Sequence, residues 1–165
     1  VNATLSSPLP DGATRQRQNL GAARILGTDF ELEWRPLKPL SLVAGYEYVS
    51  PTVTSNPSAP ELVGKDLAQD PRHRAILQAG FESERYFTGT LQLRWVGPQF
   101  EDDLNAQPMA GYLLVDAFAS RDIAGGLSVF GAVENLFNRE YVVGRAGVDT
   151  IGAPRTFRAG LRFRY

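Results

Sequence analysis

Alternation of apolar and polar residues, repeated in long segments with no helical pattern between them, most limits what this chain can fold into. It is clearest at the C-terminus. Phe157, Ala159, Leu161, Phe163 and Tyr165 fall on one side of an extended segment, and Thr156, Arg158, Gly160, Arg162 and Arg164 on the other. Successive side chains of a strand point to opposite faces, so this segment has one apolar and one arginine-rich face. The same period recurs upstream. Leu26, Thr28, Phe30, Leu32 and Trp34 alternate with Gly27, Asp29, Glu31 and Glu33; Leu42, Ala44, Tyr46 and Tyr48 with Ser41, Gly45 and Glu47. Ala75, Leu77, Ala79 and Phe81 alternate with Arg74, Gln78 and Glu82; Phe87, Leu91, Leu93 and Trp95 with Thr88, Thr90, Gln92 and Arg94. Leu113, Val115, Ala117 and Ala119 oppose Tyr112, Leu114, Asp116 and Ser120, and Leu127, Val129, Gly131 and Val133 oppose Ser128, Phe130, Ala132 and Glu134. That makes seven strands of about 10 residues, the length a tilted strand needs to cross a bilayer.

The connections alternate too. Short ones fall at 36–39, 83–85 and 121–126, and long ones at 51–71, 98–108 and 138–154. Short turns on one side and long loops on the other are the outer-membrane barrel pattern, with the short side periplasmic. Residues before Gly21 read as a further long loop, and 1–5 as the stub of an earlier strand. Trp34, Phe81, Phe87, Phe163 and Tyr165 fall near the short turns; Tyr46, Tyr48, Trp95, Phe137 and Phe157 fall near the long loops. Two aromatic girdles suit the two interfaces of a membrane. The expected fold class is therefore all-β: an antiparallel transmembrane β-barrel, represented here by about seven to eight strands.

Composition agrees. No run of about 18 apolar residues offers a transmembrane helix. The net charge of −1 gives no electrostatic footprint for nucleic acid. There is no cysteine, so disulfides and thiolate metal sites are excluded. Arg outnumbers Lys 15 to 2, which suggests positive charges with fixed partners. The N-terminal residues show no signal peptide, so any targeting segment is expected upstream or already removed.

The C-terminal third resembles the end of a TonB-dependent outer-membrane receptor. The residues carrying the resemblance are Val133, Glu134, Asn135, Leu136, Phe137, Asn138, Arg139, Glu140 and Tyr141, then Gly152, Ala153, Pro154, Arg155, Thr156 and Phe157, then the terminal strand. Residues 19–27, 30–34, 71–74 and 111–116 extend it to about 19–165. The resemblance implies a barrel of about 22 strands with a plug domain filling its lumen. It implies uptake of a scarce nutrient, usually a ferric siderophore, sometimes cobalamin, haem or a saccharide, powered by TonB. Neither plug nor TonB box is visible, so 1–165 is expected to be the C-terminal part of such a barrel, from a longer chain or a truncated product. The resemblance also makes Phe157, Leu161, Phe163 and Tyr165 a signal for the barrel-assembly machinery; simple contact with lipid explains the same residues. Asn135 and Asn138 fall where Asn tolerates turn conformations, and Pro154 where a strand restarts.

Candidate chemistry beyond this is sparse. His73 is the only histidine; at the start of a strand and flanked by Arg72 and Arg74, it reads as a solvated loop residue. Glu101, Asp102 and Asp103 could offer oxygen ligands to calcium, but their spacing matches no such loop, so they read as a solvated acidic run, as do Asp66 and Asp70. Gly144, Arg145, Ala146 and Gly147 precede no helix and form no phosphate cradle. Asp29, Glu31, Glu33, Glu47, Arg94, Asp116, Glu134, Arg158, Arg162 and Arg164 all point inward; a salt-bridge and hydration network in a polar interior accounts for each separately, and contact with a plug and guidance of an anionic or chelated ligand is the functional alternative. No outward face of the assigned strands carries a charge. No enzyme, metal site or cofactor is expected. The partners expected are lipid, the missing strands and plug, TonB, the assembly machinery and a ferric chelate or similar ligand. The rival readings are a self-contained eight-stranded barrel with structural, adhesive or channel role, and a soluble sandwich or lipocalin-like binder.

Overall fold

A computed structural model describes residues 21–164 and, as backbone, the two-residue strands Asn2–Ala3 and Gln16–Arg17. Seven strands form one sheet: β1 (Ala22–Leu37), β2 (Leu40–Ser55), β3 (His73–Glu82), β4 (Thr88–Val96), β5 (Tyr112–Ala124), β6 (Leu127–Glu134) and β7 (Thr156–Phe163). Each pairs antiparallel with its sequence neighbour, so the sheet is a simple meander. Of the strand stub expected at 1–5 only Asn2–Ala3 is described, and it pairs with Gln16–Arg17 in a ribbon separate from this sheet.

The register preserves the alternation across every pairing. On one face Trp34, Leu42, Ala79 and Leu91 follow one another across β1 to β4, and Ala117 and Val133 continue the row on β5 and β6. Because the side-chain period is 2, a slip of one residue would exchange the faces, so matching apolar rows fix the register. Among the described residues no second layer covers this face: Phe30 and Trp34 are 57% exposed, Phe157 71% and Leu161 72%. An apolar surface this continuous needs a membrane or a partner. Among the described residues the one cluster of buried apolar side chains lies at the long-loop end, where Val53, Ala59 and Leu62 pack with Leu67.

β1 and β2 are longer than expected, 16 residues each. Leu37 pairs with Leu40 across the tight turn, and at the far end Pro51 and Val53 stay in strand, the backbone of 64–67 folding back on them. The added length places Arg24 on the apolar face, opposite Thr52. β5 likewise runs on past 121, and Arg121 faces Val129 on the same apolar side. Both are exposed and lie near strand ends, where a long side chain can carry its charge to an interface. The apolar face is therefore uncharged only in its middle. The β5–β6 turn is Gly125-Gly126, with φ of 59° and 80°. That turn type needs positive φ at both central residues, which glycine supplies without a Cβ penalty.

His73 is no loop residue. It opens β3 on the apolar face among Tyr46, Tyr48 and Trp95, and its Nδ1 lies 2.8 Å from the Tyr46 hydroxyl. At the short-turn end Phe81 and Phe87 pack with ring centroids 4.9 Å apart. Aromatic side chains thus gather at both ends of the apolar face. Tyr165 and residues 19–20 lie outside the described residues.

Candidate functional site

The opposite face collects the charged residues. Asp29, Glu31 and Glu33 share it on β1, Glu47 on β2, Arg94 on β4, Asp116 on β5, Glu134 on β6, and Arg158 and Arg162 on β7; Arg164 continues the alternation just past that strand. The sheet brings several together between adjacent strands. Arg74 donates to Glu47 at 2.9 Å and to Asp70 at 2.9 Å; Arg94 reaches Asp116 at 3.4 Å; Arg158 reaches Glu134 at 3.0 Å. Arg35 pairs with Glu33 along β1. These pairs are partly exposed, so each contributes little alone. Their ordering still leaves the middle of the face close to neutral.

A cleft of about 410 Å³ opens on this face at the long-loop end. Arg94, Asp116, Glu134, Asn135 and Tyr141 line it, with Leu114 at its floor, buried beneath residues 135–155. Its roof is the segment that carried the sequence motif, and hydrogen bonds explain the motif residue by residue. Asn135 is 4% exposed with φ of 50°. Its backbone N–H donates to Asp116 Oδ1 at 2.8 Å. Its Nδ2 donates to the carbonyls of Arg139 and Ala153, and its Oδ1 accepts the Arg139 N–H. Asn138, with φ of 51°, accepts the Arg155 N–H at 3.0 Å. The Leu136 N–H donates to the Val115 carbonyl, and Arg155 Nη1 reaches the Leu136 carbonyl. Arg155 also stacks over Phe157. Tyr141 packs on Tyr112, centroids 4.5 Å apart, and leaves no room for a Cβ at Gly152, whose N–H donates to the Tyr141 carbonyl. The motif is a clamp that ties the end of β6 to β5 and to the start of β7.

A second cleft, about 240 Å³, lies toward the short turns, where Arg162 and Arg164 face Glu82, Glu84 and Asp122 across Phe118 and Phe130. This aromatic pair on the charged face escaped the sequence reading. Gly160 makes room for it, because a Cβ there would sit 2.6 Å from the Phe130 ring. Parity put Phe130 on this side, but nothing in the sequence pairs it with Phe118.

The long loops are more ordered than their composition suggested. Asp66 and Asp70 are not free: Arg72 grips Asp66 with two bonds of 2.8 and 2.7 Å, and Arg74 holds Asp70. The bidentate hydrogen bond to Asp66, offset by burial, raises the Arg72 pKa. The run 101–103 is not solvated either. Glu101 accepts from Gln69, Asp102 accepts the backbone N–H groups of Ala106 and Gln107, and Asp103 is 7% exposed. Burial, reinforced by the neighbouring Asp102 charge, pushes the Asp103 carboxyl above its ordinary value. Asn105 bridges the two loops through Asp66, and Arg145, paired with Asp149, donates to the Pro108 carbonyl. The three loops thus form one continuous layer. Among the described residues no group of His, Cys, Asp and Glu could hold a metal ion.

A family model for the TonB dependent receptor-like β-barrel matches residues 2–136. The ferrichrome outer membrane transporter/phage receptor of Escherichia coli K12 is 29% identical over 133 residues, covering 74% of this chain and 17% of that protein. The siderophore receptor PiuA from Acinetobacter baumannii superposes with a TM-score of 0.77 at 18% identity, over 87% of this chain and 22% of its own. BauA, the ferric preacinetobactin receptor of the same organism, gives 0.74 at 21% identity, over 97% and 25%. The structural likenesses speak for the fold, and the chain spans only 17% to 25% of these relatives. Most of the motif after Asn135 lies beyond the matched stretch, so family model and motif are separate observations. An uncovered apolar face, a meander of membrane-length strands and a family match over most of the chain lead to one assignment. The chain belongs to the TonB-dependent receptor β-barrel family of the Gram-negative outer membrane and forms part of such a barrel.

Proposed function

We propose that residues 1–165 form the C-terminal wall of a plugged barrel that takes up a ferric siderophore or a similar bulky chelate by TonB-dependent transport. The plug and TonB contact belong to other parts of the full-length receptor. The apolar face meets lipid, the charged face lines the lumen, and the ordered long loops lie outside the cell. The single observation that carries the reading is the cleft beneath the loop layer. There the Tyr112–Tyr141 stack stands beside the Arg94–Asp116 pair, an aromatic and hydrogen-bonding surface suited to a bulky, partly aromatic chelate. On this reading the inward ion pairs, Glu47 with Arg74, Arg94 with Asp116 and Glu134 with Arg158, are where the wall meets the plug. Phe157, Leu161, Phe163 and Tyr165 serve the assembly machinery as well as lipid.

The rival of a self-contained small barrel is less well supported. Among the described residues β1 and β7 do not pair, and an open sheet cannot stand in lipid with its edge groups unsatisfied. The test is uptake of radiolabelled iron by cells that express the full-length receptor and lack their other iron receptors. Ferric hydroxamate, catecholate and citrate chelates are supplied singly. TonB-dependent uptake of one of them is expected. Uptake of none, together with uptake of cobalamin or a saccharide, would refute the iron reading.

A further inference from the structure

Ion pairs on the charged face follow a rule that stops at its two edges. Between β2 and β3, Glu47 meets Arg74; between β4 and β5, Arg94 meets Asp116; between β6 and β7, Glu134 meets Arg158. On β1, Asp29 and Glu31 make no ion pair among the described residues, and Asp29 stands directly opposite Glu47, a like charge. Beyond Arg158, Arg162 and Arg164 also make none among the described residues. Glu82 and Asp122 on the inner strands are also without an ion pair among the described residues and share the second cleft with Arg162 and Arg164, but along the open edges themselves the unpaired charge is acidic on β1 and basic on β7. Like charges directly opposite are destabilising and opposite ones stabilising, at separations of about 5 Å that an adjoining strand would impose.

We infer that the strand adjoining β1 presents lysine or arginine toward the lumen opposite Asp29 and Glu31, and that the strand adjoining β7 presents aspartate or glutamate opposite Arg162 and Arg164. The inference rests on the barrel reading above, and it names the chemistry of the two seams. The occupants are strands of the rest of the receptor, not a second copy of this segment. All six pairings are antiparallel, so β1 and β7 run in the same direction. A second copy inserted in the same membrane sense would set its β7 parallel to β1. Its charges would match while its direction opposed every other pairing in the sheet. Closure by antiparallel neighbours alone needs an odd number of further strands, giving the even total of such barrels.

The test uses the full-length receptor refolded in detergent, with urea unfolding followed by the heat-resistant band on unboiled gels. Neutral variants (Asp29→Asn with Glu31→Gln, and Arg162→Gln with Arg164→Gln) guard against gross misfolding in the reversals. The reversals are Asp29→Lys with Glu31→Lys, and Arg162→Glu with Arg164→Glu. Each reversal is expected to lower the folding equilibrium constant, about two- to fivefold per residue at 31, 162 and 164 and less at 29, where the new lysine gains Glu47 across β2, and the neutral variants less. Because the seams involve different strands, all four reversals together give the product of the two losses. Neutral and reversed variants that unfold at the wild-type midpoint would overturn the inference. So would recovery of that midpoint in the fourfold reversal, the signature of copies joined β1 to β7. Both readouts are independent of uptake, so failure of the transport reading leaves the seam test intact.

Discussion

Asn135 should be the most sensitive residue of the motif, and its cost can be worked from its contacts. Asn135→Ala removes three side-chain hydrogen bonds, to the Arg139 carbonyl, the Arg139 N–H and the Ala153 carbonyl. At about 1 kcal/mol net each, that is roughly 3 kcal/mol. The residue has φ of 50°, where alanine is less at ease than asparagine. That adds roughly 1 kcal/mol. Arg139 and Ala153 are themselves exposed, so water recovers part of the loss, and the expected cost is about 2–4 kcal/mol. Two comparisons make the reasoning testable. Asn138→Ala has the same φ problem but loses a single hydrogen bond at an exposed position, so about 1–2 kcal/mol is expected. Asn135→Gly loses the bonds but accepts the backbone, so it should be roughly 1 kcal/mol milder than Asn135→Ala. Urea unfolding of the full-length receptor in detergent, read by tryptophan fluorescence, gives the three midpoints. If Asn138→Ala costs as much as Asn135→Ala, or glycine proves no better than alanine at 135, the clamp is wrongly described.

Gly152→Ala should displace the Tyr141 ring from Tyr112 and loosen residues 135–155; faster proteolysis of that loop in intact cells would report it. Asp103 should make the loop layer more stable in acid. Its carboxyl pKa is raised in the fold, so its contribution is fully present below the ordinary carboxyl value and is lost as pH rises through the folded one. Asp103→Asn should therefore raise the thermal midpoint at neutral pH and flatten its pH dependence, and an unchanged slope would count against burial as the cause. Leu161→Arg puts a charge on the most exposed apolar position of β7 and should cost about 2–4 kcal/mol if that position lies near the bilayer midplane. A cost near zero in lipid vesicles would argue against the lipid-facing assignment.

The sequence by itself determined which residues share a face. Side-chain alternation is a local property of extended backbone, so Phe157, Leu161 and Phe163 could be separated from Arg158 and Arg162 with no knowledge of neighbours. It also determined the strand count and the alternation of short and long connections, because those depend on turn residues and on the length of each apolar run. Only the tertiary structure decided what the polar residues do with one another. Asp66, Asp70 and the run 101–103 looked solvated because their partners are Arg72, Arg74, Gln69 and the loop backbone, reached by folding rather than by sequence spacing. His73 looked like a loop residue because two arginines flank it, yet register sets it against Tyr48 and Trp95. Strand ends moved for the same reason: β2 runs on to Ser55 because residues 64–67 pair with it. Asn135 was legible as a turn residue from its type, but its hold on β5 and on the start of β7 depends on three segments meeting. Local periodicity is written in single strands, whereas charge pairing, loop order and the unequal edges of the sheet exist only between them.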